Sequence, residues 1–205
     1  MMNKTFGLVS EFNLQEKFFD HPSHLHGINH TYRVMTHCIV LGNILGFERE
    51  TKLALCGAYI HDMARKHDSK CFQHGAWAAE YKFPTFFPLF KSLGVPESDQ
   101  EEIKIAVQWH SLPDEIDLSN PFRKTVALLK DADALDRIRL GEGELKVERL
   151  RFPETVGLAD YAKRLYYNDV PPGKHMLFSD YLALSSALLG RLDVPEEIRV
   201  LFLGK

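Results

Sequence analysis

The 205-residue sequence predicts an all-α protein. Apolar residues recur every three or four positions along most of the chain, the period of a helix that buries one face. No stretch shows the sustained alternation of apolar and polar residues that is typical of a strand. The sequence has no internal repeat, linker or glycine-rich phosphate loop. We therefore expect one domain over 1–205, because a chain of this length with 45% hydrophobic residues can bury a single core.

The first two helices have the clearest periodicity. A helix is predicted over 28–45, and Gly46 is expected to end it as a C-cap. A second helix is predicted over 49–63. Each helix has one apolar face. In the first helix this face consists of Val34, Cys38, Leu41 and Leu45, and in the second it consists of Leu53, Cys56, Ile60 and Met63.

Prolines suggest where the next elements end. A short helix should begin near Phe72 and stop before Pro84, because proline disfavours the helical conformation in the residue before it. The segment FPTFFPLF is then expected to be an irregular turn. Ser98 is followed three residues later by Glu101, the pattern of a capping box that opens a helix. That helix should continue through His110.

A further long helix is predicted from about Pro121 to the GEG segment at 141–143. Two or three more helices are predicted beyond it, around 159–167, 180–191 and 195–203.

Histidine is the unusual residue of this composition. Ten are present, and seven lie between His21 and His67, which prompts a search for metal-ligand spacing. His30 extends the buried stripe of the first helix, and a lone histidine there is often only a hydrogen-bonded core residue. His61 lies near the buried side of the second helix, with Asp62 about 100° further round it. Imidazole nitrogens and carboxylate oxygens suit Fe, Mn, Co, Ni or Zn.

A fourth candidate ligand lies in LLKDADALD. Asp133 follows the apolar Leu129 by one helical turn, and a buried carboxylate needs a partner because an isolated charge is strongly disfavoured in an apolar interior. Asp131 and Asp136 fall on other faces, where they are expected to be solvated or to support the ligands.

The order His30, His61 and Asp62, then Asp133 resembles the H…HD…D signature of the HD-domain metal-dependent phosphohydrolases. The resemblance covers about 28–140. It implies an HD-domain helical bundle with a metal-binding core, followed by additional C-terminal helices over 141–205.

Two more histidines resemble those of HD proteins that bind two ions. His74 in QHGAWAAE is similar to the H-x-x-x-A-A/G-x-E helix of such proteins, and His110 in IAVQWHS is similar to their histidine after an apolar helix. The resemblance thus implies six ligands and a binuclear site, with a mononuclear site as the alternative. His74 could also be an exposed residue at a helix start, and His110 could merely precede a turn.

The implied activity is hydrolysis of a nucleotide or another small phosphate ester by a metal-activated water, as a phosphomonoesterase or a phosphodiesterase. One alternative is a di-iron HD-fold oxygenase, which would use the same ligands. The other is a non-catalytic HD domain that binds a ligand.

Three residues are expected to take part in catalysis, and three to bind substrate. Asp62 would bridge the two ions. Arg65 stands where some HD families have lysine and a nucleotidase branch has glutamate, and it could contact phosphate or simply stabilise a helix C-terminus. His26 lies one turn before His30 and could act as a general acid, although an ordinary surface loop also fits. Lys66, Lys130 and Arg137 are expected to bind phosphate, with salt bridges as the alternative for the last two.

Net charge, apolar runs and cysteine content limit the classes of partner and the compartment expected for this protein. The net charge is −3 and the sequence pI is near 6.4, which gives no electrostatic basis for nucleic-acid binding. The apolar run LALCGAYI is too short to span a membrane, and the N-terminus lacks the apolar core of a signal peptide. Three cysteines without metal or disulfide spacing favour the cytoplasm. A small phosphorylated substrate is the expected partner, and the oligomeric state is open.

Overall fold

The structure is a computed structural model that describes residues 12–141, 143–168 and 176–190. Every regular element in these ranges is helical, which confirms the all-α prediction. None of the helices in these ranges is both long enough and apolar enough to cross a lipid bilayer. The predicted helix at 195–203 lies outside the described residues.

The α-helices are, in chain order, α1 Ile28–Leu45, α2 Glu48–Ile60, α3 His74–Trp77, α4 Phe83–Ser92, α5 Gln100–His110, α6 Arg123–Leu135, α7 Pro153–Val156, α8 Ala159–Tyr167 and α9 Phe178–Leu189. A π-helical turn, Ala78–Lys82, joins α3 to α4. The 3-10 turns are Glu16–Phe18, Glu97–Asp99, Asp136–Leu140 and Val147–Arg149.

Several predicted boundaries agree with these elements. Helix α1 has the bounds expected from its apolar stripe, and α8 has those expected from its own sequence. Gly46 ends α1 in the left-handed conformation, with a φ of 68°, as expected of a glycine C-cap. Helix α2 ends at Ile60, three residues earlier than predicted, so His61 and Asp62 lie in the tight turns that follow it.

The prediction of an irregular turn at FPTFFPLF was wrong, because this segment forms most of α4. Pro84 lies in the first turn of that helix, where its missing N–H needs no partner. Pro88 is tolerated one turn later, while Phe83 and Phe90 are buried in the core. The expected cap at Ser98 is also absent: its side chain does not cap α5, which begins after a 3-10 turn.

Helices α1, α2, α5 and α6 pack against one another and form the centre of the fold. Their apolar faces share one hydrophobic core, to which α8 and α9 add the fully buried Tyr161 and Tyr181. Burial of such side chains is the main source of folding free energy. The same packing brings the ends of several helices to one place, where the candidate site lies.

Asp131 connects α6 to the C-terminal helices. Its carboxylate is fully buried, so the expectation of a solvated side chain was wrong. It accepts hydrogen bonds from the backbone N–H groups of Arg151 and Phe152, from the Arg151 guanidinium and from the Thr155 hydroxyl, at 2.8–3.1 Å. These donors lie at the start of α7, so one side chain holds this turn against the core.

Replacing Asp131 with alanine is expected to lower the free energy of unfolding by about 3–5 kcal/mol, because the change leaves a largely buried guanidinium and several backbone donors without their acceptor. Chemical denaturation measures the difference. Asp160→Ala is the matched control, since it removes an exposed intrahelical salt bridge with Arg164 and should change stability by no more than about 0.5 kcal/mol. Equal effects of the two substitutions would contradict the role given to Asp131.

Candidate metal centre

The six residues expected to be ligands converge at the ends of five elements. His30 lies in the first turn of α1, His61 and Asp62 follow α2, His74 begins α3, and His110 ends α5. The sixth residue, Asp133, lies near the end of α6. All are buried except Asp133, whose side chain is 24% exposed, and the centre therefore reaches solvent beside Asp133.

Asp62 lies between two groups of imidazoles. Its Oδ2 is 3.3 Å from Nε2 of His30 and 3.6 Å from Nε2 of His61. Its Oδ1 is 3.0 Å from Nε2 of His74 and 3.8 Å from Nε2 of His110. Asp133 joins the Oδ2 group, with its Oδ1 3.4 Å from Nε2 of His30. Each oxygen of Asp62 thus faces its own pair of histidines.

The hydrogen-bond partner of Nδ1 determines which ring nitrogen of a histidine carries the proton. Nδ1 of His61, His74 and His110 lies 2.5–2.8 Å from the backbone carbonyl oxygens of Ala58, Cys71 and Val107, respectively. A carbonyl can only accept, so each Nδ1 must donate its proton. The neutral imidazoles therefore direct the Nε2 lone pair toward Asp62.

These lone pairs face one another at short range. Nε2 of His30 is 3.1 Å from Nε2 of His61, and Nε2 of His74 is 2.9 Å from Nε2 of His110. Two neutral imidazoles with their protons on Nδ1 cannot form a hydrogen bond through their Nε2 atoms, so each pair favours a cation between them. A divalent metal ion fits this donor set of imidazoles and carboxylates.

Burial makes a proton a poor substitute for that cation. It lowers the pKa of His61 to about 3 and also lowers the pKa of His74. Burial alone would raise the pKa of Asp62, but the surrounding imidazoles, His61 first, hold that pKa well below its usual range. At neutral pH His61 and His74 are therefore neutral and Asp62 is ionised, the states that metal binding requires.

His30 is oriented by an aspartate that was not among the predicted ligands. Asp136 is buried, and its Oδ2 lies 2.7 Å from Nδ1 of His30. Arg33, also buried, donates to both oxygens of Asp136, from Nε at 2.6 Å and from Nη2 at 3.0 Å. A carboxylate that accepts the second N–H of a ligand histidine fixes the tautomer and the ring orientation. Asp136 therefore supports His30, in agreement with one of its two expected roles.

Replacing Asp136 with asparagine is expected to weaken metal binding by about 10–100-fold, because His30 loses the charged acceptor that orients it. Metal titration of the apoprotein measures this. Asp131→Asn is the control: Asp131 lies on α6, just before the 3-10 turn that carries Asp136, it is also buried and paired with arginine, and it does not touch the histidines. An equal loss of affinity in both variants would indicate general destabilisation instead.

Gly75 allows α3 to approach α5 closely. An added Cβ would lie 2.4 Å from the carbonyl oxygen of Val107 and 3.0 Å from that of Gln108, which are backbone atoms near the end of α5. His74 and His110 lie next to this contact. Only glycine permits the separation at which these two imidazoles meet.

The expected catalytic residues His26 and Arg65 both contact Asp62. Nδ1 of His26 lies 2.8 Å from Oδ2, and Nε of Arg65 donates to Oδ1 at 2.8 Å. His26 is buried, so the alternative of a plain surface loop does not describe it. Arg139, which sequence reasoning missed, places Nη2 3.2 Å from Nδ1 of His26 and also donates to the carbonyl oxygens of Leu25 and Asp136.

The expected substrate-binding residues lie elsewhere. Lys130 is buried and donates to the carbonyl oxygens of Leu112 and Asp114, so it fastens the loop after α5. Arg137 is half exposed and pairs with Glu144. Lys66 is exposed and lies over the ring of Trp77. Among the described residues, none of these three side chains contacts the histidine cluster. The structure therefore does not place the residues expected to bind phosphate against the cluster.

Comparison with known proteins agrees with this geometry. A sequence profile described as HD domain matches residues 27–138, more than half of the chain. Comparisons with curated proteins and with solved structures gave no match. HD domains are often metal-dependent phosphohydrolases, although some are non-catalytic, and the buried histidine and aspartate groups here are compatible with a divalent metal ion. The ordered His30, His61, Asp62 and Asp133 are carried by the all-α core that matches the profile, and the chain belongs to the HD domain family.

Proposed function

We propose that the protein is a metal-dependent phosphohydrolase that acts on a nucleotide or another small phosphate ester. One observation carries the proposal: two pairs of histidines lie on opposite sides of the ionised Asp62 carboxylate. Within each pair, the Nε2 lone pairs of the two imidazoles face each other. Membership of the HD domain family supports hydrolysis as the reaction class.

Two sets of ligands are proposed. His30, His61, Asp133 and Oδ2 of Asp62 would hold one ion, and His74, His110 and Oδ1 of Asp62 would hold the other. Fe, Mn, Co, Ni and Zn all suit these nitrogen and oxygen ligands. Such ions lower the pKa of a water molecule and neutralise charge on phosphoryl oxygens.

The chain's own side chains have the following proposed roles. His26 and Arg65 hold the two oxygens of Asp62 in place, through the contacts at 2.8 Å. With its Nδ1 committed to Asp62, His26 has Nε2 for exchanging a proton with the substrate. Burial lowers the pKa of His26, although Asp62 opposes the shift, so the ring is neutral near neutral pH. Arg65 would use its remaining N–H groups to bind a phosphoryl oxygen.

The test combines metal analysis with two activity measurements. Purified protein is assayed for metal content, then loaded separately with Fe, Mn, Co, Ni or Zn and offered nucleotides, aryl phosphates and a diester. We expect two metal equivalents, and phosphate or alcohol release that a chelator abolishes and one of these ions restores. Oxygen uptake without phosphoester cleavage would replace the proposal with the oxygenase alternative. Metal binding without turnover of any phosphoester would favour a non-catalytic ligand-binding domain.

A further inference from the structure

One cavity is lined by none of the candidate metal ligands, and nothing in the proposed reaction uses it. Its volume is about 350 Å³, within the range of about 300–1,000 Å³ that is typical of small-molecule sites. Lys66 on its rim is four residues beyond Asp62, and Trp77 in its wall is one helical turn beyond His74. We call this cavity the aromatic cleft.

Four of the nine residues that line the aromatic cleft are aromatic. Phe18 and Phe86 pack edge to face, with ring centroids 5.1 Å apart. Trp77 is partly buried, and Tyr81 is 61% exposed although it is a large aromatic side chain. Tyr81 lies in the π-helical turn between α3 and α4, a rare conformation that is frequent at functional sites. The exposed Tyr81 side chain is suited to stack against a flat ring of a ligand.

Positive charge surrounds these rings. Lys82 is neutralised, because its Nζ lies 2.5 Å from Oδ1 of Asp20. Nζ of Lys66 lies 4.4 Å from the ring centroid of Trp77, and Nζ of Lys17 lies 5.7 Å from that of Phe18. Among the described residues, neither Lys17 nor Lys66 pairs with a carboxylate. The cleft thus has two ammonium groups available for an anion, next to aromatic walls.

We propose that the aromatic cleft binds a nucleotide, with the base against Trp77 and Tyr81 and the phosphate at Lys17 and Lys66. The phosphate would form ion pairs with the ammonium groups of Lys17 and Lys66, and the heteroaromatic base would stack against the aromatic side chains. The binding requires neither metal nor hydrolysis, so it stands apart from the proposed function.

The two tryptophans provide the test, because Trp77 lies in the aromatic cleft and Trp109 is next to His110. Trp109→Phe leaves Trp77 as the fluorescent reporter, and Trp77→Phe leaves Trp109. AMP is titrated into both full-length variants after chelation, so that no metal-dependent turnover occurs. We expect saturable quenching of Trp77 and an unchanged signal from Trp109. Adenosine and inorganic phosphate should each bind at least about tenfold more weakly than AMP, since each lacks half of the contacts.

Lysine variants in the Trp109→Phe background test the anion site. Lys66→Gln and Lys17→Gln should each raise the half-saturating AMP concentration by at least about fivefold, through loss of a charge-assisted contact. Lys146→Gln removes an exposed lysine outside the cleft and should leave it unchanged. Absence of saturable quenching, a response confined to Trp109, binding of phosphate as tight as that of AMP, or indifference to Lys66→Gln and Lys17→Gln would each overturn the proposal.

Discussion

Replacing Asp62 with asparagine is expected to abolish metal binding on one side of the centre, to weaken it on the other, and to lower hydrolysis by at least about 10²–10³-fold. The carboxylate has one oxygen in each histidine group, at 3.0–3.3 Å from the nearest Nε2. Asparagine keeps the shape but removes the negative charge, and its amide N–H₂ must face one of the two histidine groups. A donor placed there opposes a cation.

Metal content after equilibrium dialysis and phosphoester turnover measure this effect. Asp68→Asn is the matched control: Asp68 is exposed, lies in the same segment and bonds to Ser23 instead of the cluster. We expect the control to keep both metal equivalents and its activity. An Asp62→Asn protein that retained two equivalents would show that Asp62 does not join the two halves of the centre.

The candidate ligands could be predicted from the sequence because each lies in a strongly patterned context. His30 continues an apolar stripe, Asp133 lies one turn from Leu129, and both turned out to face the same interior point. Their relation to His74 and His110 required the resemblance to a family, since a short helix and a helix end have too little periodicity of their own. The structure brings all six residues together, and their role as ligands remains the proposal to test.

The contacts of the supporting residues could not be predicted in this way. Asp136 bonds to His30 and Arg33 across more than 100 positions of sequence, and no local pattern reports such a contact. The 3-10 turn after α6 also matters, because Arg139 reaches His26 while Arg137 points to Glu144. A continuous α-helix would have placed Arg137, four residues after Asp133, on the same face as that residue. Helix α4 was not predicted for a related reason. Whether a helix tolerates a proline at an internal position depends on tertiary packing, which no local pattern shows.

The centre is also held together by bonds that do not involve any metal. Four imidazoles are fixed by acceptors on Nδ1, and Asp62 is held by His26 and Arg65. Such preorganisation keeps the ligands close to their working positions and reduces the rearrangement needed on binding. Its weakest part is the His74 and His110 pair, because α3 has only four residues and depends on its close contact with α5.

Replacing Gly75 with alanine is therefore expected to separate the two halves of the centre. The new Cβ would lie 2.4 Å from the Val107 carbonyl oxygen, so α3 must move away from α5 and the 2.9 Å approach of His74 to His110 is lost. The His30 and His61 pair lies on other helices and keeps its geometry. We expect one metal equivalent instead of two, and turnover reduced by about 10²-fold, as is typical when a catalytic group is displaced by about 1 Å.

Gly157→Ala is the control for this change, because its Cβ would meet only the Glu154 carbonyl oxygen at 3.4 Å, an ordinary contact. This variant should keep two equivalents and full activity. The mononuclear alternative predicts a different result for Gly75→Ala: the metal content would stay at one equivalent in both the wild type and the variant, and turnover would hardly change. Loss of both equivalents would instead mean that the two histidine pairs form a single cooperative unit, which the sharing of Asp62 would then explain.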